Sequence, residues 1–220
     1  MAGVNVTVRN IRTYVTIRNI EMKPKRTPRP RTAYHHGDLA NAALAAALEL
    51  VEQRGVDAFA LAEVAKRLGV STAALYRHFA DRGALLAAVA RDSFRMLDDA
   101  LRAAGPAAAS SKKLLRALTD AYLDFAFAHP ARYSLMFGAG RAPKEASVEQ
   151  AADDALALVV EALAAALPDV PKAKLESAAT HVWSLCHGLV SLWLAGVLEV
   201  SSAEVHAIAW DGVAKLLPTK

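Results

Sequence analysis

The chain has 220 residues, 54% of them apolar, enough for a buried core without covalent staples. A single cysteine, Cys186, excludes an internal disulfide and any zinc site built on several thiolates, and it suits a reducing compartment. The net charge of +4 is uneven: residues 1–33 hold eight basic side chains against Glu21 alone, a segment charge of +7 that leaves the remainder at −3, which suits either a polyanion met at one end or a solvated tail.

The first 22 residues are β-prone, with Val6-Thr7-Val8-Arg9-Asn10-Ile11 returning as Val15-Thr16-Ile17-Arg18-Asn19-Ile20. Two copies do not make a repeat architecture. Arg9, Arg12 and Arg18 interrupt the apolar core a secretory signal needs, so the expected location is the cytoplasm. Pro24, Pro28 and Pro30 oppose a helix, and residues 1–33 read as a basic, disordered extension. Met22 offers a second start, which would make residues 1–21 a translated upstream region.

From Leu39 onward leucine, valine and alanine recur at helical spacing with no period-two strand between them, which predicts an all-α fold of about nine helices. Gly55 closes a first helix from about Asp38 to Arg54, and Gly69 closes Leu61 to Leu68. Ser71 caps Thr72 to Phe79, and Asp81 caps a long helix ending before Gly105-Pro106. Further helices are expected over Ser111–Ala128, Pro130–Phe137, Val148–Leu167, Pro171–Leu198 and Ser202–Leu217. Pro130 and Pro171 suit first turns, where the amide hydrogen they lack would be unpaired anyway. Gly138 to Ser147 reads as the longest loop of the folded part.

Residues 61–79 carry the sharpest pattern. Ala65 lets a second helix pass close, Gly69 supplies backbone freedom for a sharp turn, and Val64, Leu68, Val70 and Leu75 fill the angle between two helices. The second helix, about eight residues, is too short to persist alone and must be held by its neighbours while its outer face enters a DNA major groove. The run resembles the TetR family of bacterial regulators, and the likeness extends from about Tyr34 to Leu86. Ala46 through Gly55 is similar to that family's first helix, and Val64-Ala65 through Gly69-Val70-Ser71 to its second helix and turn. Ala74-Leu75-Tyr76-Arg77-His78-Phe79 is similar to its recognition helix, and Asp81 through Leu86 to the opening of helix four. Ala60 stands where the family usually has serine or threonine; this forfeits an N-cap of about 1 kcal/mol and predicts a less firm start to helix two. Arg82 and Gly83 replace a usual lysine and acidic residue, keeping a cation for phosphate but as a planar fork.

The resemblance implies an N-terminal three-helix helix-turn-helix DNA-binding domain over residues 34–80, and an antiparallel helical ligand-binding and dimerisation domain over residues 81–218. Ser71 and Thr72 place hydroxyls and amides at a helix start, suited to a phosphate or a base edge. Ala73 can meet a thymine methyl, while Tyr76 and His78 can reach phosphates. Arg77 can read guanine, point to solvent or pair with an acidic neighbour. Tyr34, with His35 and His36, precedes helix one, where backbone contact and a solvated turn are both open. Lys66 and Arg67 suit an exposed helix face or added phosphate charge.

In the second half, His129 through Phe137 followed by Trp183-Ser184-Leu185-Cys186-His187-Gly188 resembles one TetR C-terminal domain type, marked by tryptophan, three residues, histidine and glycine (a WHG-type domain). Trp183 and His187 lie one turn apart on a shared face. With Tyr122, Phe125, Phe127, Tyr133, Met136 and Phe137 they can wall a ligand cavity or be plain core. The ligand-binding candidates are Tyr122, Phe125, Tyr133, Met136, Trp183 and His187. His181, Cys186 and His187 do not share a face, so no metal or cofactor is expected.

Ala178 to Leu198 has no formal charge over 21 residues, long enough for a bilayer. Its small or polar stripe of His181, Ser184, Gly188, Ser191 and Ala195 suits a dimeric bundle instead, with Val205, Ile208, Ala209, Val213 and Leu216 as a second apolar face of the same interface. No paired carboxylates, nucleophile with base or glycine-rich phosphate loop stands at useful spacing, so an enzyme is not expected. The expected molecule is a homodimeric repressor of a double-stranded DNA operator, released by a small-molecule effector. A ligand-independent DNA-binding dimer and a membrane-associated helical protein are the alternatives.

Overall fold

A computed structural model describes residues 39–56, 59–105, 111–138 and 145–216. Among them are nine helices and no strand: α1 (Leu39–Arg54), α2 (Leu61–Leu68), α3 (Thr72–Tyr76), α4 (Arg82–Ala104), α5 (Ser111–Ala128), α6 (Pro130–Phe137), α7 (Ala146–Ala166), α8 (Lys172–Leu194) and α9 (Ser202–Leu216). The basic extension and Tyr34, His35 and His36 lie outside the described residues.

Local chemistry sets most boundaries. Gly69 adopts φ +70°, and the amides of Gly69 and Val70 bond back to the carbonyls of Lys66 (3.3 Å) and Ala65 (3.0 Å), a double closure that stops α2 and turns the chain sharply. Gly196, at φ +69°, does the same to α8 through Gly196 N–H to Trp193 and Val197 N–H to Leu192, both 2.9 Å. This ends α8 at Leu194 rather than at the expected Leu198. Pro171 precedes α8 instead of entering it, and α7 begins two residues before the expected Val148. Residues 139–144 of the expected loop lie outside the description.

The start of α2 differs from expectation. Ala60 lacks a capping side chain, but its amide donates to Glu63 Oε2 (3.2 Å), and Glu63 Oε1 accepts from Arg54 Nη1 (2.7 Å). Half of a reciprocal cap therefore survives, tethered to the end of α1. The bond from Arg54, then that from Ala60, hold the Glu63 carboxyl below its ordinary pKa.

Among the described residues lie two large apolar cores and a smaller one, in which Leu115, Leu163, Leu175, Ala178 and Ala179 join α5, α7 and α8. The first joins α1, α2, α3 and the opening of α4 through Leu50, Val64, Leu75, Phe79 and Leu85; the second joins α4 through α9 through Phe94, Leu97, Leu123, Val190 and Val205. Two helices belong to both. The 23 residues of α4 span about 35 Å at 1.5 Å per residue, and α6 sends Leu135 into the first core but Tyr133 and Met136 into the second. Arg132 of α6 clamps the two helices together, its Nη1 donating to Asp92 Oδ2 (2.9 Å) and Ser93 Oγ (3.1 Å). Burial opposes the Asp92 charge, but hydrogen bonds from Arg95 and Arg132 outweigh it and hold that carboxyl below its ordinary range.

The expected role of α9 needs correction. Val205, Ala209 and Val213 are fully buried within the chain's own second core, so they are not an intersubunit face. His206 pins the helix further, its two ring nitrogens lying 3.0 Å from Asp120 and 3.1 Å from Asp124 on α5. Ile208 is half-buried and Leu216 remains exposed. No helix among the described residues is long and apolar enough to cross a membrane.

Candidate functional site

The candidate DNA-reading surface is built on α3. Ser71 Oγ accepts the amide of Ala74 (3.2 Å), fixing the helix start, while Leu75 and Phe79 are buried beneath it. Burying Leu75 completely is worth about 1.5–3 kcal/mol, more than so short a helix could supply by itself. The helix ends at Tyr76 rather than Phe79, because the amides of His78 and Phe79 both turn to the Leu75 carbonyl at 2.9 Å.

What this leaves outside is a polar ridge. Ser71, Ala73, Arg77 and His78 are exposed, Tyr76 is 55% exposed, and Thr72 is half-buried beside them. No acidic side chain from Ser71 to Ala80 interrupts the ridge. Asp81 lies just beyond, its Oδ1 accepting the Ala84 amide (2.8 Å) to start α4. Arg82 is placed differently from its neighbours: its guanidinium lies 5.0 Å from the Phe59 ring centre, with Nε and Nη2 buried. Arg67 leans back on α1, bridging Glu49 at 3.2 Å.

The second core encloses a cavity of about 160 Å³ between α4, α5, α6, α7 and α8. Phe94, Leu97, Leu118, Phe137, Val159 and Val182 make apolar walls, joined by Tyr122, Thr119, Cys186 and Trp183. Of the six ligand-binding candidates, Tyr122 and Trp183 line it. Tyr133 and His187 stand behind this lining, while Phe125 and Met136 are buried core; Phe125 packs on His129 with ring centres 5.2 Å apart. Sequence reasoning missed the walls from α4 and α7. Their signal was the spacing of Phe94, Leu97 and Leu101, and of Ala152, Ala155, Leu156 and Val159, which equally describes ordinary core. A larger surface notch of about 350 Å³ beside the α7–α8 turn, lined by Glu161 and Lys172 among others, is open and brings no aromatic group together.

A hydrogen-bonded chain backs the cavity. The hydroxyls of Tyr122 and Tyr133 are 3.1 Å apart, and Tyr133 Oη is 2.6 Å from His187 Nδ1. Burial, then the adjacent Tyr133, hold the Tyr122 phenol well above its ordinary pKa; burial pushes Tyr133 and the Cys186 thiol each up to about 12. Burial also lowers His187. All four groups are therefore neutral near pH 7. Donation from Tyr122 to Tyr133 and from Tyr133 to neutral His187 leaves no phenolic proton without an acceptor. Trp183 and Phe137 flank the imidazole with ring centres 5.7 and 5.1 Å away. Among the described residues no group of three or more His, Cys, Asp or Glu is placed to hold a metal.

A family model for "Bacterial regulatory proteins, tetR family" matches residues 43–89, and one for "Tetracyclin repressor-like, C-terminal domain" matches residues 115–216. No curated protein is a significant match. Among solved structures, a protein with unknown function from Rhodococcus sp. RHA1 is 33% identical with a TM-score of 0.72, covering 84% of this chain and 98% of that one. A tetR-family transcriptional regulator from Streptomyces coelicolor is 22% identical (TM-score 0.68, covering 81% of this chain and 80% of that one). FadR from Bacillus subtilis, solved in complex with stearoyl-CoA, is 12% identical (TM-score 0.66, covering 80% and 97%). The last two speak for the fold alone. The two family matches cover more than half of the chain between them, one over the reading head and the other over most of the second core, and the chain belongs to the TetR family of bacterial transcriptional regulators.

Proposed function

We propose that this regulator is a homodimeric repressor that leaves its operator when a small molecule occupies the cavity beneath Trp183. The observation that carries the reading is the double membership of α6. Phe137 lines the cavity and Leu135, two residues earlier, is fully buried in the core that holds the reading head. A ligand that displaces Phe137 therefore moves a helix seated against α1 and α4, and the heads with it. Release requires that the ligand prefer the displaced arrangement; a tenfold loss of operator affinity corresponds to about 1.4 kcal/mol of preference.

On DNA, Ser71, Thr72, Tyr76 and His78 hold phosphates through hydroxyl, phenol and imidazole, Ala73 faces a thymine methyl, and Arg77 reads a guanine edge. Tyr34 adds a backbone contact ahead of α1. Arg82 serves the head by bracing Phe59, with phosphate contact secondary to that packing. The dimer forms along α8, where His181, Ser184 and Leu192 are exposed, Gly188 is half-buried, and no Lys, Arg, Asp or Glu falls between Ala178 and Leu198. Two recognition helices then lie in successive major grooves about 34 Å apart. The head and the effector domain divide at residue 80, residues 1–33 are a basic tail, and Trp183-x-x-x-His187-Gly188 marks a WHG-type effector domain. The DNA-bound dimer works in the cytoplasm.

The test is a thermal-shift screen of a metabolite library followed by titration of each stabilising compound into the protein–operator complex. A compound that raises the melting temperature should also dissociate the complex. Stabilising compounds that all leave the complex intact would instead favour a ligand-independent DNA-binding dimer.

A further inference from the structure

We infer that the effector is a lipophilic cation, a compact apolar body bearing an ammonium-type group, and not a fatty acid or other carboxylate; this rests on the cavity being the ligand site. Among the described residues the one charged side chain in the cavity lining is Asp153 of α7. It is exposed, and no hydrogen bond or ion pair ties it to another described residue, so its carboxylate stands ready at the opening. Trp183, 36% exposed, and the half-buried Phe137 are aromatic members of the same lining that reach solvent, and Phe94 and Tyr122 offer further ring surface inside. Aromatic faces and a carboxylate attract a cation.

The Thr119 hydroxyl agrees with Asp153 in sign. Thr119 spends its hydroxyl proton on the Leu115 carbonyl (2.8 Å), so toward the cavity it can only accept. Among the described residues no Lys or Arg lines the cavity. His187, the basic group behind it, is kept neutral by burial and already engaged by Tyr133. A carboxylate entering here would lose its hydration and face Asp153 of like charge, while the Trp183 indole N–H is turned to the Tyr122 hydroxyl. At about 160 Å³ the space suits one ring with a short substituent and not a long acyl chain.

The test uses three probes sharing one body, 4-butylbenzylammonium, 4-butylbenzyl alcohol and 4-butylphenylacetate, titrated calorimetrically into the full chain at pH 7.5. The ammonium should bind about tenfold more tightly than the carboxylate, a preference that Asp153→Asn reduces to within about twofold while leaving the alcohol unchanged. Ala152→Phe and Leu156→Trp, at half-buried lining positions, should block all three probes, with circular dichroism confirming the fold. Alcohol binding that the filling variants block, together with carboxylate binding at least as tight as ammonium, overturns the cationic class and leaves the cavity standing. An ammonium preference that survives Asp153→Asn also overturns the assignment. Binding indifferent to both filling variants, or no binding of any probe at millimolar concentration, overturns the cavity and the class together.

Discussion

The hydroxyl of Tyr133 lies 2.6 Å from Nδ1 of His187, and the same oxygen is 3.1 Å from the Tyr122 hydroxyl, so a single phenol on α6 links α5 to α8. Tyr133→Phe keeps the ring and removes the link, leaving a buried phenol on one side and an imidazole on the other without this partner. The expected loss is about 1–3 kcal/mol of unfolding free energy, read by urea denaturation. Unchanged stability would show that the chain of hydrogen bonds contributes nothing net.

Stability should also depend on His187 through pH. Burial lowers its pKa in the folded protein, so the unfolded chain, which protonates near about 6.5, binds the proton more readily. The contribution of neutral His187 is complete above that pH and is lost as pH falls below it. Between pH 7.5 and 5.5 the wild type should lose more stability than His187→Gln. Parallel curves would contradict the assignment.

Gly69→Ala forces a β-carbon into left-handed backbone and should cost about 1–2 kcal/mol. Gly196→Ala, at nearly the same φ, should cost a similar amount. Measured at a temperature where both variants are folded, operator affinity should drop for the first and change little for the second, because only Gly69 sets the angle at which α3 is presented.

Ala60 already has the extended backbone of a capping residue, φ −115° and ψ 157°. Ala60→Ser should complete the reciprocal cap with Glu63 and raise stability by about 1 kcal/mol, seen as a higher melting temperature. No gain would mean that the Arg54–Glu63 tether has made the cap redundant.

The reading head was legible because its signals are local. Gly69, Ser71 and Asp81 each act within a few residues of their own position, and the structure uses Gly69 as a stop and the other two as caps. Gly196 carries the same chemistry as Gly69, but apolar residues continue past it to Leu198 and obscured the stop. The buried stripe of α9 was visible as a stripe, yet periodicity does not say whether it meets its own chain or a second copy. Val205, Ala209 and Val213 meet their own chain. The cavity was least legible. Phe125 and Tyr122 sit three residues apart on α5, and only the placement of α4 and α7, distant in sequence, decides that Tyr122 faces the cavity and Phe125 does not.

The central claim is that the exposed ridge of α3 reads DNA. It is tested most directly by fluorescence anisotropy of a labelled duplex taken from upstream of the protein's own gene, with unlabelled nonspecific DNA as competitor, comparing wild type with Thr72→Ala and Tyr76→Ala. Tyr76 is 55% exposed and Thr72, though half-buried, is not part of the buried core, so both variants should stay folded, which their melting curves check. The account predicts that each loses about tenfold or more in affinity for the duplex, and because both side chains hold phosphates, nonspecific binding weakens alongside. Folded variants that bind the duplex as tightly and as selectively as wild type would contradict it.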